Sequence, residues 1–375
     1  MDPLAHTLFG AALAEAGLKK KTALATGTLI IGANLPDIDA IFMLWGSDTA
    51  LYFRRGWTHG VLALMIWPFI LTGAMLLYDR IRRNWRPGLR STRSAKGPPL
   101  KPEWLLVIAY IGVWSHPLLD WLNVYGVRLL MPFSDSWFYG DTLFIVDPWM
   151  WLLTGTGVVF ARSQSWPGII GWIMLGGATT AIVTGVAVVP VLVKTVWVVV
   201  ILGIAFFRWL GWYRGNERYI AAGCLLLLAG YSIVMFSGSR MTVDYAERHL
   251  SAQGINVEDV MAEPKPARMF TRGGVAASNS QYYLFQVNWL DPESFRIVTI
   301  SPRTMEPNLI VQAAMEAQEV RGLMNWIRFP HYELHRIEDG WQVTIRDLRF
   351  VDPRHDDPSG IGMAIVELDS HLNPR

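Results

Sequence analysis

Residues 103–123 read EWLLVIAYIGVWSHPLLDWLN. The stretch is apolar over a length close to the roughly 20 residues that cross a bilayer. Yet its last third carries His116, Pro117, Asp120 and Asn123. Ionisable side chains inside a membrane segment are costly, and they default to functional hypotheses. One stretch therefore predicts a membrane helix and places chemistry on it. Similar apolar runs cover 4–18, 22–46, 57–78, 148–161, 168–190, 191–212 and 219–237. Of these, 57–78, 168–190, 191–212 and 219–237 are long enough to span, as is 103–123 itself. The short runs 4–18 and 148–161 suit re-entrant or half helices. Of 375 residues, 52% are apolar and 17% charged, against about 25% charged in an ordinary soluble domain. A purely soluble enzyme, a disordered chain and a coiled coil are excluded. A lone cysteine, Cys224, excludes a disulfide framework and a cysteine-based zinc site.

The composition changes near residue 238. Residues 1–237 hold 19 Lys+Arg and 12 Asp+Glu, a net of +7, whereas residues 238–375 hold 14 and 19, a net of −5. The expected fold is mostly α: a polytopic helical membrane domain over 1–237, then a soluble α+β, β-rich domain over 238–375. The opening Met1-Asp2-Pro3 lacks the basic start of a signal peptide. Basic residues in short loops set the orientation. Arg80, Arg82, Arg83, Arg86, Arg90, Arg93, Lys96 and Lys101 mark one cytoplasmic loop. Lys19–Lys21 and Arg208, Arg214 and Arg218 mark two others. The run 219–237 then points outward and delivers the soluble domain to the extracytoplasmic side. In that domain a helix is expected over 241–252, another over 307–322, and strands over 282–290, 295–300, 326–337, 341–350 and 362–368. Asp339-Gly340 is a hairpin signal between two of them.

The membrane part has three histidines, and each lies among polar residues at the end of a run. Asp2-Pro3-Leu4-Ala5-His6-Thr7 opens the chain. Asn34-Leu35-Pro36-Asp37-Ile38-Asp39 interrupts 22–46. Arg54-Arg55-Gly56-Trp57-Thr58-His59-Gly60 starts 57–78, and His116-Pro117-Leu118-Leu119-Asp120 ends 103–123. His116 and Asp120, four apart, share a helix face. That suits two ligands of one ion, or a hydrogen bond between packed helices. In the orientation above, all four clusters meet at the outer face. His6, Asp37, Asp39, His59, His116 and Asp120 are therefore the predicted ligands. Mixed imidazole and carboxylate suit Zn²⁺, with Mn²⁺ or Fe²⁺ as alternatives, and six groups suffice for one or two ions. Asp39 or Asp120 is the candidate base, and Arg54 or Arg55 the candidate holder of an anionic oxygen or of lipid headgroups. Asp141 and Asp147 are further candidates to close the site. Asp147-Pro148 also reads as an N-cap followed by proline at the first helical position. Glycines 155, 157, 171, 176 and 177 read as close helix packing. His331 and His335 read as surface histidines.

The four clusters, with Asn123-x-Tyr125-Gly126, Pro132-Phe133 and Asp147-Pro148, resemble the YdjM-like inner-membrane metal-dependent hydrolases of bacteria and archaea. The resemblance covers roughly residues 1–240. Arg54 departs from it, standing where many relatives have a second histidine. Their order is also similar to that of the ligands in zinc-dependent phospholipase C. These resemblances imply a multi-pass protein of the cytoplasmic (inner) membrane. They imply a metal-activated water acting on an ester or phosphoester of a lipid or lipid-linked substrate. The expected partners are membrane lipids and a lipid-like substrate. The soluble domain has no basic patch, so no nucleic acid is expected. The rival readings are a metal transporter or sensor using the same ligands, and a non-catalytic membrane protein.

Overall fold

A computed structural model describes residues 1–85, 97–303, 308–350 and 361–375. Arg86, Arg90, Arg93 and Lys96 of the expected cytoplasmic loop, and the first residue of the expected helix 307–322, lie outside the described residues. The chain is mostly helical, with a C-terminal region of antiparallel sheets. It divides into two compact units. One comprises Met1–Ile38, Arg55–Met235 and Pro266–Arg268. The other comprises Asp39–Arg54, Phe236–Lys265 and Met269–Arg375.

The helices α1 (Pro3–Glu15), α2 (Ala25–Gly32), α4 (Val61–Trp85) and α5 (Pro102–Trp121) belong to the first unit. So do α6 (Pro148–Arg162), α7 (Trp166–Gly185) and α8 (Val191–Leu210). Among the described residues, α4, α7, α8 and α9 (Glu217–Ala252) are long and apolar enough to cross a membrane. In α7 only Thr179 and Val183 are buried, and in α8 only Trp197. Such naked apolar helices are stable where lipid surrounds them. The run 22–46 is not one straight element. It breaks into α2 and an eleven-residue 3₁₀ segment (Leu35–Trp45) bent by 41°. The run 103–123 forms α5, which is not among those four. Its face is covered by protein: Leu105, Ile108, Ala109, Val113, His116 and Asp120 are buried.

Small residues let α1, α2 and α5 approach closely. A Cβ at Gly10 would lie 2.8 Å from the Leu29 carbonyl, and one at Gly32 would lie 3.2 Å from Gly112 Cα. These contacts pack α1 and α5 against α2. At the end of α1, Glu15 is buried and accepts from Arg162 Nε at 2.7 Å, and also pairs with Lys19. Of the glycines read as packing contacts, Gly157 does lie against α9: a Cβ there would lie 3.3 Å from Ala221 Cα. Gly171, Gly176 and Gly177 do not, because a Cβ there meets nothing within 4 Å.

In the second unit, β1 (Val257–Pro264), β2 (Thr271–Ser278), β3 (Gln281–Asn288) and β4 (Asp291–Pro302) form one antiparallel sheet in sequence order. A second sheet holds β5 (Pro330–Ile337), β6 (Gly340–Asp347) and β7 (Met363–Leu368). The hairpin at Asp339-Gly340 is present, with Gly340 at φ +138°. The expected helix 307–322 is instead α10 (Leu309–Met315), a 3₁₀ turn and α11 (Arg321–Trp326). The helix α3 (Ser47–Phe53) belongs to this unit. Its Asp48 accepts from the Gly322 and Leu323 amides, both at 2.9 Å. It thereby satisfies the free donors at the start of α11. His331 is buried rather than exposed, with Nδ1 3.1 Å from Ser301 Oγ.

Candidate metal centre

Asp37, His59, His116 and Asp120 each aim one ligand atom at a common point, all four within 4.8 Å of one another. His59, His116 and Asp120 are fully buried, and the Asp37 side chain is partly buried, 16% exposed. The two Nε2 atoms are 3.1 Å apart. Asp120 Oδ2 lies 3.3 Å from His116 Nε2 and 3.4 Å from His59 Nε2. Asp37 Oδ1 lies 3.7 and 4.0 Å from the same two nitrogens. The edge of a tetrahedron with metal–nitrogen bonds of about 2.0–2.1 Å is about 3.3–3.4 Å. The spacings therefore suit one small divalent cation.

The local structure explains why the lone pairs face inward. His116 Nδ1 donates to the Ala33 carbonyl at 2.7 Å. Ala33 is the residue at which α2 ends, so its carbonyl has no helical partner. The break between α2 and the 3₁₀ segment thus supplies the acceptor that fixes the His116 tautomer, leaving Nε2 bare. His59 Nδ1 lies 2.9 Å from Thr58 Oγ1, which anchors the ring with Nε2 turned toward the group. Holding the outer nitrogen in this way is how ligating imidazoles are oriented. Asp120 Oδ2 is buried with no hydrogen-bond donor. A buried carboxylate oxygen is expensive to leave unmatched, and a cation between the four side chains removes that cost. The residues fit a divalent metal.

The remaining Asp120 oxygen is heavily bonded. Oδ1 receives Arg55 Nη2 at 2.9 Å, pairs with the Met1 amino group, and lies 3.3 Å from His6 Nε2. Arg55 is buried, so it is not on a headgroup surface. It also donates to Asn123 Oδ1 at 2.9 Å and the Gly126 carbonyl at 3.1 Å, and its guanidinium lies over the Tyr125 ring at 4.4 Å. His6 stacks on His116 with ring centroids 3.9 Å apart and stands outside the four. Asp39 is not one of the four either. Asp147 takes the N-cap role, accepting from the Met150 amide at 3.0 Å and from Tyr231 at 2.8 Å. It and Asp141 are not in the group.

Sequence reasoning missed three supports: the Ala33 carbonyl, Thr58 as a ring anchor, and Arg128. Arg128 is buried, donates its amide to the Arg55 carbonyl at 2.8 Å, and lies 5.0 Å over the Trp137 ring. The one visible hint was glycine. A Cβ at Gly56 would lie 2.6 Å from Arg128, and one at Gly60 would lie 2.3 Å from the Met131 carbonyl. No alternation or spacing announces such contacts.

The model of one family, the YdjM inner membrane proteins, matches residues 1–241, which include the whole metal centre. The chain belongs to the YdjM family. Its membrane unit, with its apolar helices, accords with that membership. Among curated proteins, the chain is similar to the "Uncharacterized protein YfhP" of Bacillus subtilis (strain 168). The two are 24% identical over 179 residues, 45% of this chain and 49% of the relative. The chain thus spans about half the length of that relative. No solved structure matches it. YdjM membership names a membrane protein, and what this one does must come from the site.

Proposed function

We propose that this YdjM-family protein is a membrane-embedded, metal-dependent hydrolase of an ester or phosphoester in a lipid or lipid-linked substrate. The observation that carries the reading is the buried Asp37–His59–His116–Asp120 group with both imidazole Nε2 atoms turned inward. Zn²⁺ is the favoured ion for two imidazoles and two carboxylates, with Mn²⁺ and Fe²⁺ next. When bound, such an ion supplies Lewis-acid polarisation of a substrate oxygen and activation of water.

The chain's own residues have separable roles. Asp37, His59, His116 and Asp120 hold the ion. Arg55 is a positioning residue: its bond to Oδ1 orients Asp120 so that Oδ2 faces the ligand group. His6, between Asp120 and the His116 ring, is placed to hold a proton at Nε2 beside the reacting centre. The amphipathic substrate class follows from position, since the group is carried at the ends of apolar segments. Sidedness follows from the basic residues: the site lies at the outer face and the C-terminal unit is extracytoplasmic. A transporter needs ligands along a path to both faces, whereas these gather at one end of α1 and α5.

The test is a panel of phospholipids and lipid-linked esters, incubated with metal-loaded protein and assayed for released phosphate, headgroup or fatty acid. The wild type is expected to release product. Arg55→Gln is expected to retain part of the activity, and His116→Ala none. Equal release by wild type and His116→Ala would sink the reading.

A further inference from the structure

A cavity of about 600 Å³ lies between α6, α7 and α8, and none of its lining residues belongs to the metal centre. Its wall is almost wholly apolar, with Leu152, Val159, Ile169, Trp172, Ile173 and Trp197 among its lining. Gly176 and Gly177 also line it, and a Cβ at either meets nothing within 4 Å. Trp151, in the first turn of α6, and Ser163, just past its end, both line it. At 1.5 Å per residue the cavity follows α6 for about 18 Å. That is close to one leaflet's share, about 15 Å, of the hydrocarbon core.

The two ends differ. Arg208 lines the Ser163 end. Arg208 Nη1 donates to the Tyr213 hydroxyl at 2.5 Å, and Nη2 donates to the Ser163 carbonyl. Neither acceptor carries a charge. Arg162 and Lys19 meet at Glu15, and Arg218 Nε donates to the Ala16 carbonyl at 3.1 Å. These bonds bring the ends of α1, α6 and α8 and the start of α9 together. Lys20, Lys21 and Arg214 stand in the adjoining turns, with Glu15, Glu103 and Glu217 as the acidic residues near them. Trp166, Trp209, Trp212 and Tyr219, between 67% and 78% exposed, fringe the same end. Exposed Trp and Tyr beside excess Lys and Arg mark the headgroup level of a cytoplasmic leaflet.

We propose that this cavity seats one anionic phospholipid. An acyl chain lies along α6 against α7 and α8, and the phosphate bonds the Arg208 guanidinium. An apolar slot open to the bilayer takes an acyl chain, and a guanidinium with only neutral partners selects a phosphate. The headgroup stands at the far end of α1 from His6, so this lipid is a bound component rather than the hydrolysed substrate. The site holds whether or not the metal centre is hydrolytic.

Native mass spectrometry of the detergent-purified full chain tests it. The protein is exchanged into mixtures of phosphatidylglycerol and phosphatidylcholine with identical chains. Wild type is expected to retain one phosphatidylglycerol, about fivefold over phosphatidylcholine, the preference expected of one guanidinium at the headgroup. Arg208→Gln is expected to lose the preference, and Arg208→Lys to keep most of it. Gly176→Leu, which fills the slot, is expected to lower retention of both lipids. Monodisperse elution and unchanged helical circular dichroism identify the variants that fold. Equal retention of both lipids by wild type, an unchanged preference in Arg208→Gln, or undiminished retention in Gly176→Leu would overturn the proposal. So would displacement of the lipid by inorganic phosphate, which would make this a free-anion site.

Discussion

His116 shows how a single side chain is prepared for a metal. Its Nδ1 is committed to Ala33, and its Nε2 faces His59, Asp37 and Asp120. Thr58 Oγ1, 2.9 Å from Nδ1, anchors the His59 ring. Thr58→Val removes that anchor without touching a ligand. It is expected to weaken metal affinity by about 10- to 100-fold, measured by competition with a chromogenic chelator. In the second unit, His331 gives a pH dependence of its own. Burial lowers its pKa below the ordinary 6.5, with Glu333 opposing and Arg346 reinforcing that shift. The unfolded chain then binds more protons than the folded one just below pH 6.5. The stability contributed by neutral His331 is fully present above 6.5 and is lost as pH falls toward the folded pKa. Protection of β5 and β6 amides, corrected for intrinsic exchange, should therefore rise with pH through that window and flatten above it. His331→Gln should abolish the slope. The ligand candidates were legible as residues because membrane segments carry few ionisable groups and each one stood out. Which of the six converge was not. Asp37 and Asp39 are two apart in a segment that turns out to be 3₁₀ rather than α, and their spacing did not say that Asp37 is the one in the group.

At the level of elements, the broken helix is the feature that makes the site. A straight helix through 22–46 would hydrogen-bond the Ala33 carbonyl internally and leave His116 Nδ1 without an acceptor. Close packing of α2 on α5 holds the break in place. A side chain at Gly32 meets the Gly112 and Val113 backbone at 3.1–3.2 Å. Gly32→Leu is expected to cost about 1–3 kcal/mol of stability through overpacking and to release metal. Thermal unfolding in detergent and metal analysis of the same sample check both. Apolar run length made α4, α7 and α8 legible. The strands β1 and β2 were missed because Gly273, Gly274, Ala276 and Ala277 give β2 no alternating pattern, and Glu258, Asp259 and Glu263 make β1 look like a loop. The helix expected over 241–252 is the continuation of the span 219–237, one helix from Glu217 to Ala252. The expected boundary near residue 238 came from the change in composition, and the helix runs through it. Ser239 bonds the Ala262 carbonyl at 2.7 Å, and Trp289 packs where a side chain at Gly238 would go.

Over the whole molecule, a net charge of +2 conceals a basic membrane part and an acidic remainder. The membrane unit has two ends of opposite character. Imidazoles and carboxylates gather where α1 begins and α5 ends, and lysines and arginines gather where α1, α6 and α8 end. If basic residues face the cytoplasm, reporter fusions after residue 90 and after residue 375 should report opposite compartments, and matching reports would reverse the assigned side of the C-terminal unit. The central claim is that the four buried side chains hold a metal. The most direct measurement is the metal content of protein purified without chelators, by inductively coupled plasma mass spectrometry, for wild type, Asp37→Asn and His116→Ala. The account predicts one divalent ion per wild-type chain and its loss in each folded variant. A metal-free wild type, or equal metal in all three, would contradict it.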